Sequence, residues 1–306
     1  LDWRNWSKLK STYADALLAL AEHSSDGRIH TTLNQTIAAT GRLSSTEPNL
    51  QNIPQGVGWG TEIRRCFVPG RPDWVLLSGD YSQIELRVLA HLSEEPRLIE
   101  AFQKGEDIHR HTAAEVFGVP QDAVTSEQRD KAKMINFGLV YGMTEYGYAS
   151  RLRIPVDEAQ AYIAQYMARL PKVGEYIART VEEARATGKV ATLFGRIRFM
   201  PELASANQQV RRAAERRAIN MPVQGTAADI MKFAMIRVAA RMGGDNSPAK
   251  LLLQVHDELV LEVPRQHASE TAALLKSAME DVVPLVVPLT VSLKVGPNWA
   301  DQVPID

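Results

Sequence analysis

Two apolar segments that read as strands, Trp74–Leu77 and the pair Leu251–Leu253 and Leu259–Leu261, lie far apart in the chain, and most of what separates them runs at helical period. From about Glu94 to Arg185 the helical pattern breaks only at Gly118-Val119-Pro120, Ile154-Pro155 and Leu170-Pro171. A second helical region, Asn207–Met242, is expected to be interrupted near Pro222 and Gly225. The pattern is that of a helical subdomain inserted after the first strand of a sheet. Upstream, Trp3 to about Ala21 is helical in spacing, Asp26-Gly27 supplies a turn, and Arg28–Leu33 alternates like a strand. A last helix, roughly Gln266–Met279, and a final strand, Leu289–Val295, close the chain.

The segment Thr40–Pro54, rich in Gly, Ser, Asn, Gln and Pro, reads as a structured loop of the kind that touches ligands. At 306 residues, with 45% hydrophobic and 23% charged residues, the chain has room for about two globular domains and is not a disordered or collagen-like sequence. A single cysteine, Cys66, excludes an intrachain disulfide framework and argues against a cysteine zinc cluster, which fits a reducing compartment. The most apolar stretch, Val282–Leu293, is cut by Pro284 and Pro288, short of the ~18 residues a membrane helix needs. The start, Leu1-Asp2-Trp3-Arg4, has neither an initiator Met nor a signal pattern and reads as an internal cut in a longer protein.

Net charge is −1, a poor match to nucleic acid by sum alone. Its distribution is segregated: Arg64, Arg65 and Arg71 cluster, as do Arg211, Arg212, Arg216 and Arg217, while acids collect at Asp257, Glu258 and Glu262. Solvated helix faces would give the same pattern.

Asp80 and Asp257 are the central pair. Each ends an apolar strand-like run, where a carboxylate loses solvation unless a cation or hydrogen-bond donors compensate. Two convergent carboxylates suffice for Mg²⁺, which fills its other positions with water and substrate phosphate. Alternatively each is a turn or cap residue, and Asp80, ahead of a helix from Ile84, suits an N-cap. In Glu127–Gly142, Arg129, Lys133, Phe137 and Tyr141 recur every four residues on one winding stripe. Two cations followed by two rings match a nucleoside triphosphate; an amphipathic helix with buried rings is the alternative. Gly138 and Gly142 follow the rings and leave room for something flat. Arg216, Asn220 and Gln224 repeat the spacing, as a groove-reading face or a plain polar one. His109 and His111 are too weak a pair for zinc.

Taken together, DYSQIELRVLAH (Asp80–His91), RDKAKMINFGLVYG (Arg129–Gly142) and QVHDELVLEV (Gln254–Val263) resemble the three polymerase motifs of family A DNA polymerases, the bacterial DNA polymerase I type. TGRLSSTEPNLQNIP (Thr40–Pro54) and NMPVQGTAAD (Asn220–Asp229) resemble further signature stretches in the same order, so the likeness covers essentially the whole chain.

The resemblance implies an α+β right-hand fold: an antiparallel-sheet palm with a large inserted helical fingers subdomain and most of the thumb absent. Residues 1–26 would end a thumb helix, 27–92 and 206–306 form the palm, and 93–205 the fingers. It implies template-directed transfer of deoxynucleotides from dNTPs to a primer 3′-hydroxyl, with two Mg²⁺ ions, for which Mn²⁺ can substitute. Asp80, Asp257 and the backbone carbonyl of Tyr81 would hold the ions and Glu258 would support them near the primer end. Arg129, His109 and Lys133 would grip the phosphates, Lys133 as proton donor. Phe137 and Glu85, with Gln83 beside them, would border the sugar against a ribose 2′-hydroxyl, and Tyr141 would stack at the template side. Arg42, Asn52, Arg216, Asn220, Gln224 and His256 would contact primer-template DNA. The implied setting is cytoplasmic and nucleoid-associated, with no membrane, a monomer in catalysis, and thumb and N-terminal domains supplied by the parent protein. A metal-dependent nuclease and a non-catalytic nucleic-acid-binding module are the rival readings.

Overall fold

The computed structural model describes residues 2–54, 58–140, 142–244 and 247–305. In chain order its strands are β1 (Thr32–Asn34), β2 (Ser44–Thr46), β3 (Trp74–Tyr81), β4 (Lys189–Ala191), β5 (Ile197–Phe199), β6 (Lys250–Val255), β7 (Glu258–Pro264), β8 (Val291–Gly296) and β9 (Val303–Pro304). The chain divides into two compact units.

The first unit holds the residues up to Ser82, Met231–Val282 and the chain from Thr290 onward. Its frame is an antiparallel sheet in the order β6-β7-β3-β8-β9. Side chains alternate across a sheet, and here both alternating sets find cover. Leu76, Val255 and Val260 pack with Tyr13, Leu17, Leu50, Ile53 and Trp299 on one side. On the other, Gly79 and Tyr81 meet the Ala268–Glu280 helix: the Tyr81 hydroxyl donates to the Met279 carbonyl at 2.7 Å, and a Cβ at residue 79 would stand 2.9 Å from Leu275 Cδ2. That close approach gives the Ser78-Gly79 pair its reason. Ser78 and Asp80 consequently point to the opposite face from the helix.

The second unit holds Gln83–Ile230 with Val283–Leu289. It is helical, with the β4–β5 hairpin as its strand pair. The expected helix breaks are present: Gly118 ends the Ile108–Phe117 helix in the left-handed region, Pro155 precedes Val156–Arg169, and Pro171 opens Pro171–Thr187. Val283–Leu289 is tied down by Arg87, whose guanidinium donates to the Pro288 carbonyl at 2.5 Å, and by Gln103, which donates to the Val286 carbonyl at 3.1 Å.

Two expectations are corrected. Gln208–Arg241 is one helix with Pro222 inside it, not two pieces. Proline removes one backbone donor, but Met221, Val223 and Ile230 are buried around it, and that packing holds the helix together. Of Arg28–Leu33, only the end forms a strand, Thr32–Asn34, paired with Ser44–Thr46, and β9 pairs with β8 although nothing in its composition marked it. Helix-like spacing from Trp3 onward corresponds to a helical run from Asp2 to His23 with a wider turn over Lys10–Asp15. No helix among the described residues is long and apolar enough to cross a membrane.

Candidate active site

In the first unit, β6 and β7 are joined by a two-residue turn, His256-Asp257, with Val255 opposite Glu258. His256 takes the left-handed conformation that so tight a hairpin demands (φ 53°) and is exposed. The crest is braced from two directions. The Tyr81 N–H donates to the Asp257 carbonyl at 3.0 Å, and Gln254 Nε2 donates to the His256 carbonyl at 2.5 Å while its Oε1 accepts from Gln51 Nε2 at 3.0 Å. Gln51 belongs to the Thr40–Pro54 loop, which is thereby fastened to the crest with Arg42 close enough to favour an ionised Asp257. Asn52 is exposed, and its carbonyl accepts from the Tyr13 hydroxyl at 2.7 Å.

Asp80 sits directly opposite Glu258 on β7 and Ser292 on β8. Enclosure by the surrounding strands, then Glu258, then Asp257 push its carboxyl up to about 7, and Lys294 opposes them. The residue reaches solvent at its tip, so water tempers the shift; the two neighbouring acids fix its direction. Burial likewise raises Asp257, against Arg42 and His256. The cap alternative for Asp80 fails, because the Ile84–Ser93 helix is preceded by Gln83 in the left-handed region with no side-chain cap.

Glu258 accepts from Trp299 Nε1 at 3.3 Å, and the Arg64 guanidinium lies over the Trp299 ring at 4.1 Å. Burial lowers the Arg64 pKa while Glu258 raises it. Arg64, Trp299, Asp80, Glu258, Ser292 and Lys294 line one open cleft of about 1210 Å³. Among the described residues no three acids, histidines or cysteines close into a complete metal cage. Two hard oxygen donors at one crest, each held above its ordinary pKa although Lys294 or Arg42 acts against the rise, fit Mg²⁺, which leaves coordination positions for substrate oxygens.

In the second unit the Ser126–Val140 helix carries Arg129 and Lys133. Arg129 Nε donates to Asp107 Oδ2 at 2.7 Å, and Asp107 Oδ1 caps the Ile108–Phe117 helix by accepting from the His109 and Arg110 N–H groups at 3.0 and 3.1 Å. Although burial opposes it, the Arg129 hydrogen bond keeps the Asp107 carboxyl below its ordinary pKa. His109 is buried, with Nδ1 3.2 Å from Asn136 Nδ2. Burial first, with Arg129 and Lys133 adding to it, lowers its pKa to about 4, so it is neutral at pH 7. Replacing Asp107 with Ala removes the cap and the Arg129 anchor together; an expected loss of about 1–2 kcal/mol of stability is checked by denaturant unfolding.

Lys133 is exposed. The side chain of Phe137 and the whole of Tyr141 lie outside the described residues. Gly138 does not leave space for a ligand: a Cβ there would stand 2.4 Å from the Tyr148 hydroxyl, which donates to the Ile135 carbonyl at 2.7 Å. Gly142 lies against Arg216. Glu85 is buried at 4% exposure in the Ile84–Ser93 helix, and Arg216, Asn220 and Gln224 are half-buried on the long helix.

The arginine clusters are largely committed within the protein. Arg65 binds Asp301 and Glu62, Arg217 binds Glu202, and Arg211 donates to the Ser205 carbonyl. Sequence spacing missed Asp107, Asn136, Trp299 and Lys294. Only Asp107 carried a readable signal, an acid immediately ahead of a helical run.

The model of DNA polymerase family A matches residues 1–301. Thermostable DNA polymerase I of Thermus aquaticus is 52% identical over 299 residues, which cover 98% of this chain and 36% of that protein. DNA polymerase I of Geobacillus stearothermophilus is 48% identical over 301 residues, 98% of this chain and 34% of that one. Among solved structures, the POL domain of Pol1 from M. smegmatis, in complex with DNA primer-template and dNTP, superposes with a TM-score of 0.93 at 48% identity, covering 98% of this chain and 52% of that chain. The chain therefore spans about a third of the length of the curated relatives it matches. With matching motifs, matching fold and identity near one half across its length, the chain belongs to DNA polymerase family A.

Proposed function

We propose that this chain carries out template-directed DNA synthesis, joining deoxynucleotides from dNTPs to a primer 3′-hydroxyl with release of pyrophosphate. The observation that carries the reading is the convergence of Asp80, Asp257 and Glu258 at one hairpin crest, where the latter two discourage the ionisation of Asp80. Asp80 and Asp257, with the Tyr81 carbonyl, would hold two Mg²⁺ ions, or Mn²⁺ in their place. Such ions, when bound, supply Lewis-acid activation of the hydroxyl and stabilise the charge on the leaving pyrophosphate. Glu258, oriented by Trp299, backs the site with its charge.

Arg129 and Lys133 grip the phosphates, and Lys133 delivers the proton to the departing pyrophosphate oxygen. His109, neutral and held by Asn136, offers a ring N–H to a phosphate oxygen without adding charge. Phe137, Glu85 and Gln83 border the sugar, and Tyr141 the template base. Arg42, Asn52, His256, Arg216, Asn220 and Gln224 take primer and template, where minor-groove acceptors occupy similar places in every base pair and shape can be checked without reading sequence.

The relation to the M. smegmatis polymerase bound to primer-template and dNTP supports this reading over hydrolysis of a DNA backbone, which needs no triphosphate grip. Glu85 gives a separable test. Glu85→Ala is expected to raise ribonucleotide incorporation relative to deoxynucleotide by about tenfold or more, and Glu85→Gln, which keeps the bulk, to leave it near native. Competing incorporation of the two triphosphates checks it, and unchanged discrimination in Glu85→Ala removes Glu85 from the sugar border.

A further inference from the structure

One cation on the sheet face beside Asp80 has no part in the reading above. Asp80 stands opposite Glu258 and Ser292, and Ser78, two residues earlier on the same face, stands opposite Lys294. Diagonal neighbours in an antiparallel pair lie about 7–8 Å apart, which makes Lys294 the diagonal neighbour of Asp80. Lys294 is exposed and lines the same cleft as Asp80, Glu258 and Ser292. Its charge acts on Asp80 in the sense opposite to that of Glu258 and Asp257.

Resting on the reading that Asp80 holds divalent ions, we propose that Lys294 sets the affinity of that site: its ammonium, carried on the same sheet face, repels the divalent ion and holds down metal loading in the absence of nucleotide. Asp80 and Asp257, with the charge of Glu258 beside them, would otherwise draw divalent ions whether or not a substrate were bound. An incoming triphosphate brings negative charge of its own, offsets the ammonium, and makes metal loading follow nucleotide loading. Lys294 acts through Asp80 and is a positioning residue, not a catalytic one.

Repulsion of a divalent ion is twice that of a unit charge, and in a cleft open to water it amounts to about a tenfold effect on affinity. The test is a Mn²⁺ titration of the protein without nucleotide at low ionic strength, following free Mn²⁺ by electron paramagnetic resonance. Lys294→Met is expected to bind Mn²⁺ about tenfold more tightly than the native chain, Lys294→Arg to bind as the native chain does, and Asp80→Asn to abolish the binding in each background. Binding that depends on Asp80 but is unchanged or weakened in Lys294→Met overturns the role of Lys294 and leaves the metal reading standing. Absence of Asp80-dependent binding in both the native chain and Lys294→Met overturns the metal reading, and Lys294 falls with it.

Discussion

Asp257→Asn is expected to lower the rate constant of single-nucleotide incorporation by about 10³-fold or more while changing primer-template affinity by no more than a few-fold. The side chains are nearly isosteric, and the turn does not depend on the carboxylate. Its geometry is set by the Val255–Glu258 pairing, the left-handed His256 and the hydrogen bond from the Tyr81 N–H to the Asp257 carbonyl, all of which involve backbone. Stability should move the other way. The folded chain holds the Asp257 carboxyl above its ordinary pKa, so folding is penalised where the group is ionised and relieved as pH falls through that raised value. A neutral amide removes the penalty at pH 7, and the melting temperature is expected to be equal to or above that of the native chain. Loss of activity together with unimpaired stability is the signature of a group that acts on the reaction. A normal incorporation rate in this variant removes Asp257 from the metal site.

Lys133→Ala is expected to slow incorporation by about 10²–10³-fold. Its exposure makes the structural consequence small, within about 0.5 kcal/mol. Rapid-quench measurement at saturating dNTP separates the proton-transfer role from simple grip: loss of a proton donor lowers the maximal rate, whereas loss of grip alone raises the dNTP concentration needed to reach it. An unchanged maximal rate would leave Lys133 with binding only.

The two acids were legible because each stops an apolar strand run, and a charge in that place needs a compensating partner. Helix limits at Gly118, Pro155 and Pro171 were legible because glycine and proline act locally on backbone angles. Pro222 shows the limit of such reasoning. The same local rule predicts a break, and burial of Met221, Val223 and Ile230 overrides it. Gly138 misled for a related reason: the missing side chain does make room, but Tyr148, ten residues on, takes it.

The partners that orient the site were out of reach for a different reason. Trp299 is 41 residues from Glu258, Asn136 is 27 from His109, and Lys294 reaches Asp80 only through the β3–β8 register. None of these distances in sequence has a period, and strand register is fixed by the whole sheet rather than by any one segment.

Synthesis directed by a template is tested by incubating the chain in excess over a labelled primer-template with each dNTP singly, with Mg²⁺ and with EDTA. Extension by one nucleotide only with the triphosphate complementary to the template, and only with Mg²⁺, is the expected result. Shortening of the primer, or addition that ignores the template base, would contradict it.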